Sequence, residues 1–180
     1  VTISEFNKTI DQLYKNNYVL VNLNGLVKKG TDGKLTFTGV SLPEGKKPLI
    51  LSQDDVSYYE YMDNSGFPSK LIVDKQNQIK NIYIDNKKET VGDYDMVPLI
   101  DSFIKKHPDF SYQGAKGTLA LTGYNGVLGY RTSKSEYGDN EKTNKEIEAA
   151  KKVADQLKKD GWSFASHTWG HLNMTQASLA

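Results

Sequence analysis

The chain has 180 residues, 37% hydrophobic and 25% charged, and its 23 Lys and Arg against 22 Asp and Glu leave a net charge of +1. This composition suits one globular domain with a real core; with Arg131 its only arginine, it lacks the basic stripe that phosphate backbones require, which argues against a nucleic-acid partner. No apolar run reaches the roughly 18 residues of a membrane span, VTISEFNKTI is not a signal peptide, and zero cysteines fit either a reducing cytosol or an exported protein without disulfides.

In chain order, Ser4 can cap a helix whose apolar positions Phe6, Ile10, Leu13 and Tyr14 recur at helical spacing, and Tyr18–Leu23 then reads as a strand. Residues 24–47, with five glycines and a proline, read as a loop or small hairpin. PLILSQDD, Pro48–Asp55, is a short apolar run ending in two carboxylates and predicts a buried parallel strand. Lys70–Asp85 gives two β-type runs around a polar turn, a hairpin excursion from the main sheet. Pro98 is expected to open a helix through Leu99, Ile100, Phe103 and Ile104 that Pro108 ends.

TLALTG, Thr118–Gly123, predicts a further strand, followed by the Gly-, Tyr- and Ser-rich loop 124–140. Thr143 with Glu146 has capping-box spacing ahead of a helix whose Ile147, Ala150, Val153, Ala154 and Leu157 share a face, and Gly161 stops it. The helix's lysines 145, 151, 152, 158 and 159 are read as its solvated side. WSFAS is the last strand. Strands ending near Asp54, Thr122 and Ser166 with helices between them imply parallel βαβ units, whose strand C-termini carry the functional loops.

Two groups of residues stand at that edge. His167 and His171, in SHTWGH, are four apart, so one turn or a tight loop aims both imidazoles at a common point. An isolated pair of this kind is as readily two exposed histidines; the strand before it, the hydroxyl of Thr168 and the small Gly170 favour ligands. The glutamate of the zinc-protease pattern is replaced by Thr168. Asp54 and Asp55 are adjacent, and side chains alternate across a regular strand, so both reach one site only through irregular backbone. One carboxylate then completes a two-histidine, one-carboxylate metal site while the other accepts a proton from water. A solvated strand end or a helix cap is the plainer alternative for such a pair.

PLILSQDD followed by SHTWGH resembles the NodB-type polysaccharide deacetylases, whose first motif ends a strand in two aspartates and whose second is His, Ser or Thr, two residues, His. Residues 6–23 also resemble the stretch before that first motif in bacterial surface members acting on N-acetylglucosamine polymers. The resemblance implies an α/β fold, the N-terminal portion of a distorted (β/α) barrel, incomplete in this chain, with a β-hairpin insertion at about 66–96. It divides the chain into a lead-in, 1–47, and the first part of a deacetylase domain, 48–180. It assigns Asp54 as catalytic base, Asp55, His167 and His171 as ligands of a divalent metal (Zn2+, or alternatively Co2+, Ni2+ or Mn2+), and Thr168 as a brace. An acetylated glycan is the implied substrate, and a secreted or cell-surface location the implied setting.

This chain departs from the pattern in two ways. Ser52, Gln53 and Val56 replace the usual Thr-Phe before the aspartates and Gly after them. The family's later arginine, Asp-Trp element and histidine acid do not follow, so a C-terminal barrel segment is expected in the intact protein and this stretch alone is expected to be inactive or nearly so. His107 reads as a helix C-terminal cation rather than a substitute acid. Tyr58, Tyr59, Tyr61, Tyr124, Tyr130 and Trp169 are read as packing residues before sugar platforms. Removal of N-acetyl groups is the leading expectation; an O-acetyl esterase and a catalytically silent glycan-binding module are the alternatives.

Overall fold

The computed structural model describes residues 1–173, 175 and 176. Helix α1, Ile3–Lys15, starts two residues earlier than expected because Thr2, not Ser4, is the cap. Thr2 Oγ1 accepts the Glu5 amide at 3.2 Å while the Glu5 carboxylate accepts the Thr2 amide at 2.8 Å, a capping box that satisfies two orphan donors. Strand β1 is only Tyr18–Leu20; Asn22 then accepts the Asn24 amide and turns the chain into a 3-10 helix, Leu23–Leu26. β2, Val27–Lys29, and β3, Leu35–Phe37, form an antiparallel hairpin.

The segment expected as one buried strand is two short ones, β4, Lys47–Leu49, and β5, Ser52–Asp54. β4 pairs in parallel with β1, whereas β5 pairs in parallel with a later strand, so the backbone changes partners at Ile50 and Leu51. Its parallel pairing is as expected; its burial is not, with Ile50 45% exposed. The 1–47 stretch thus places β1 directly beside the segment that carries the aspartates.

β6, Lys70–Val73, and β7, Ile79–Asp85, make the expected hairpin, and β8, Lys88–Gly92, adds a third antiparallel strand that the sequence did not reveal. Asn86 and Lys87, both at positive φ (47° and 65°), form the two-residue connection with the backbone twist that hairpins favour, but without the glycine that normally advertises it. α2, Met96–Lys106, is capped by Asp95, so Pro98 lies within the first turn, where its missing N–H costs nothing. The helix ends before Pro108, as expected.

β9, Thr118–Leu121, is followed by a short α3, Lys134–Tyr137, inside the predicted loop, then α4, Glu141–Lys159, and β10, Ser163–Ser166. The cap of α4 is Asn140, whose side chain accepts the Thr143 amide at 3.0 Å. Asparagine is at least as good a cap as threonine, and Glu146 turns away to accept the Arg131 amide. Strands β5, β9 and β10 form one parallel sheet with β9 central, in register Asp54↔Ala120 and Leu121↔Ser166. The molecule is therefore mixed α/β, and among the described residues no barrel closes. Its core joins Ala150, Val153 and Leu157 of α4 to Leu119 of β9, Ile100 of α2, Phe110 and Trp162. Lysines 145, 151, 152, 158 and 159 of α4 are exposed, as expected, and His107 packs on Tyr14 and Phe103 at the C-cap of α2. Among the described residues no helix is long and apolar enough to cross a membrane.

Candidate metal centre

The C-terminal ends of β5, β9 and β10 lie side by side, and each delivers a polar residue to the same place. Asp54 is the last residue of β5, Thr122 follows β9, and His167 follows β10, its amide donating to the Leu121 carbonyl at 2.9 Å. Asp55 has φ 55°, the irregular backbone that two neighbouring carboxylates need to face one point. As a result Asp54 Oδ2 lies 3.6 Å from His167 Nε2, and Asp55 Oδ1 lies 3.5 Å from His167 Nδ1. Asp55 Oδ2 is 3.2 Å from His171 Nε2.

The histidine loop is braced from within. Thr168 Oγ1 accepts the His171 amide at 3.2 Å, and Ser166 Oγ accepts the Thr168 amide at 3.3 Å. Thr168 and His171 sit at positive φ, 67° and 48°, and the two imidazoles stack with centroids 5.0 Å apart. Nothing about Gly170 requires glycine. Gly123 does: the Trp169 indole lies where its Cβ would be, and the Trp169 carbonyl accepts the Tyr124 amide at 2.9 Å.

Thr122, fully buried, and Tyr59 are site residues that sequence reasoning missed. Thr122 Oγ1 donates to Asp55 Oδ1 at 2.6 Å and stands 3.2 Å from His167 Nδ1. A hydroxyl has one proton; with it given to Asp55, the oxygen can only accept from His167. That places a ring proton on Nδ1 and turns Nε2 toward Asp54. Tyr59 OH donates to Asp55 Oδ1 at 2.8 Å. Burial pushes the Asp55 carboxyl up, but the hydrogen bonds from Thr122 and Tyr59 and the nearby His171 and His167 outweigh it, holding the carboxyl below its ordinary range. The Tyr59 phenol is pushed up to about 12, by burial first and by its bond to Asp55.

Arg131 fixes the loop after the aspartates. Its guanidinium donates to the carbonyls of Tyr58 at 2.6 Å, Asn125 at 3.2 Å and Ser57 at 3.4 Å, and Ser57 Oγ donates to the Thr122 carbonyl at 3.0 Å. In the loop YNGVLGYR the glycines serve packing: Gly129, at φ 90°, lies against the backbone of Ser69 and Lys70, where any Cβ would collide. Tyr58, Tyr59 and Tyr130 are buried, as the packing expectation requires, but Tyr61 and Trp169 are 74% and 57% exposed. Gln53, on the opposite face from Asp54, donates through Nε2 to Asp95 Oδ2 at 3.0 Å.

One ligand atom from each of Asp55, His167 and His171 lies within 4.8 Å of the others. The fit to a divalent ion is sound on chemistry: two imidazoles and a carboxylate are the donor set of open zinc sites. The 3.2 Å between Asp55 Oδ2 and His171 Nε2 is close to the roughly 3.3 Å between ligands of a tetrahedral ion bonded at about 2.0–2.1 Å. Thr122 supplies the outer hydrogen bond that metal-binding histidines ordinarily have. Parallel strands whose ends converge on an Asp-His-His group define the class of site. Comparison with protein-family models, curated proteins and solved structures gives no match.

Proposed function

We propose that this chain carries the catalytic centre of a metal-dependent hydrolase that removes N-acetyl groups from an N-acetylglucosamine-containing polysaccharide, and that it is the first part of a NodB-type barrel. The observation that carries the reading is the convergence of Asp55, His167 and His171 from two strand ends far apart in sequence, with the second carboxylate, Asp54, 3.6 Å from His167 Nε2. A divalent ion bound there supplies Lewis acidity, acidifying water and polarising an acetyl carbonyl.

The protein's own residues do the rest. Asp55, locked by Thr122 and Tyr59, keeps its charge and a fixed direction. Asp54 has a side chain 62% exposed and, among the described residues, accepts no such hydrogen bond, which suits a base that must reach a proton. Water oxygen bonds to the acetyl carbon as one of its protons passes to Asp54; that proton goes on to the nitrogen as the amide C–N bond breaks, so the products are acetic acid, released as acetate once ionised, and a free amine, and Asp54 is again a carboxylate. A secreted or cell-surface setting accompanies the reading, since such polymers lie outside the cell.

The test is acetate release from N-acetylglucosamine oligomers by the full-length protein with added zinc or cobalt. Asp54→Asn should lower turnover by at least about a hundredfold. Undiminished release in Asp54→Asn contradicts the base assignment, and undiminished release in a strong chelator contradicts the metal. A parallel assay on O-acetylated xylan separates amide from ester specificity.

A further inference from the structure

The β2–β3 hairpin stands at the end of the molecule opposite the metal centre. β1 finishes at Leu20, paired with Leu49, just before β5 begins at Ser52, so the chain leaves β1 at the N-terminal end of the parallel sheet. There Leu26 and Val40, on either side of the hairpin, line a cleft of about 470 Å³ together with Ala115 and Gly161, which lead into β9 and β10. Asp54, Thr122 and His167 lie at the other end of those strands.

The pairing register sorts the hairpin's side chains by face. Val27 pairs with Phe37 and Lys29 with Leu35. Directly opposite residues share a face, and alternate residues return to it, so these four lie together, with Lys28 and Thr36 behind them. Phe37 is 74% exposed and Leu35 69%. A two-stranded hairpin is marginal in water by itself, yet this one turns its largest apolar side chains outward instead of into the core. Its charge is equally one-sided. Residues 27–37 hold Lys28, Lys29 and Lys34 against Asp32, a net charge of +2 in a chain that totals +1. Asp32 lies 3.9 Å from Lys34, so Lys28 and Lys29 stand without a carboxylate partner among the described residues.

We propose that this hairpin docks the protein on an anionic lipid bilayer, with Phe37 and Leu35 entering the boundary between headgroups and acyl chains while Lys28, Lys29 and Lys34 reach lipid phosphates. An apolar face edged by lysines is the pattern of an interfacial element, and each lysine stem can lie along apolar surface while its ammonium stays at the headgroups. Both chemistries single out this partner. A water-soluble polyanion answers the lysines but gives Phe37 nothing to bury in; a second copy of the hairpin answers the apolar face but sets lysine against lysine. Because hairpin and metal centre occupy opposite ends of the sheet, the docked protein presents its centre to the aqueous side. The docking does not rest on the hydrolase reading.

The experiment is co-sedimentation of the full-length protein with phosphatidylglycerol-rich vesicles and with neutral phosphatidylcholine vesicles. The anionic vesicles should bind it more tightly, and high salt should weaken that binding. Phe37→Ala, and Lys28→Gln combined with Lys29→Gln, should each weaken it by about tenfold, with unchanged melting temperature because these side chains are exposed. In Phe37→Trp the new indole emission should shift to the blue and be quenched by brominated acyl chains, which identifies this segment as the one that enters the bilayer. Failure of the full-length protein to bind anionic vesicles, wild-type binding in both the alanine and the glutamine variants, or an unquenched indole overturns the proposal. Equal affinity for soluble polyphosphate, indifferent to Phe37→Ala, assigns the hairpin to a polyanion. Dimerisation abolished by Phe37→Ala assigns it to a second copy, and either result overturns the bilayer.

Discussion

The strand-end centre and the α2–β9–α4 core obey opposite rules. In the core, Ile100, Phe110, Leu119 and Leu157 are fully buried on regular backbone, and α4 presents its apolar face at ordinary helical spacing. At the centre, four non-glycine residues, Asp55, Tyr58, Thr168 and His171, take positive φ, a conformation that costs energy and persists only where surrounding contacts over-determine it. Thr122, Tyr59, Arg131 and the Thr168 hydroxyl are those contacts. Carboxylates differ in the same way. Asp55 is held below its ordinary range by donors, whereas burial pushes Asp101 up against the pull of Lys116, 2.6 Å away. The core is built for stability and the centre for direction.

That contrast can be broken from either side. Phe110→Ala should cost about 3–5 kcal/mol of stability by leaving a cavity, with zinc affinity of the folded protein unchanged; urea unfolding and a metal titration measure the two. If zinc affinity falls in proportion to stability, the regions are not separable. Thr122→Val keeps the shape of the buried side chain but removes the hydroxyl that orients Asp55 and His167. It should weaken zinc binding by roughly tenfold or more, and an unchanged affinity would show that Thr122 only fills space.

The smallest effect is a pH slope. Because the folded-state value for Asp101 lies above its ordinary 3.8, the native state binds more protons than the unfolded chain in that interval. Its contribution is fully present below 3.8 and is lost as pH rises through the raised value. Asp101→Asn should flatten the part of the stability profile that lies above the ordinary 3.8 of the carboxyl, read by thermal unfolding as pH is raised from there; an unchanged slope refutes the assignment.

Much of this arrangement was legible in the chain. TLAL and WSFA are short apolar runs closed by hydroxyl or glycine residues, so both strands and their ends could be read, and the paired aspartates and spaced histidines mark those ends. What stayed hidden lacks a sequence period. Thr122 and Tyr59 are single hydroxyls whose importance comes from partners 67 and 4 residues away. β8 follows an Asn-Lys turn without glycine, and Asn140 outcompetes Thr143 as a cap only once the preceding loop is in place. The break between β4 and β5 depends on which strand each half pairs with, which no local pattern encodes.

The central claim is that Asp55, His167 and His171 grip one ion, and anomalous diffraction at the zinc edge from crystals grown with zinc tests it most directly. A single peak about 2.0–2.2 Å from one atom of each residue, lost in His171→Ala, is the predicted result. A protein that takes up zinc only at other sites, with these three side chains free of metal, would contradict it.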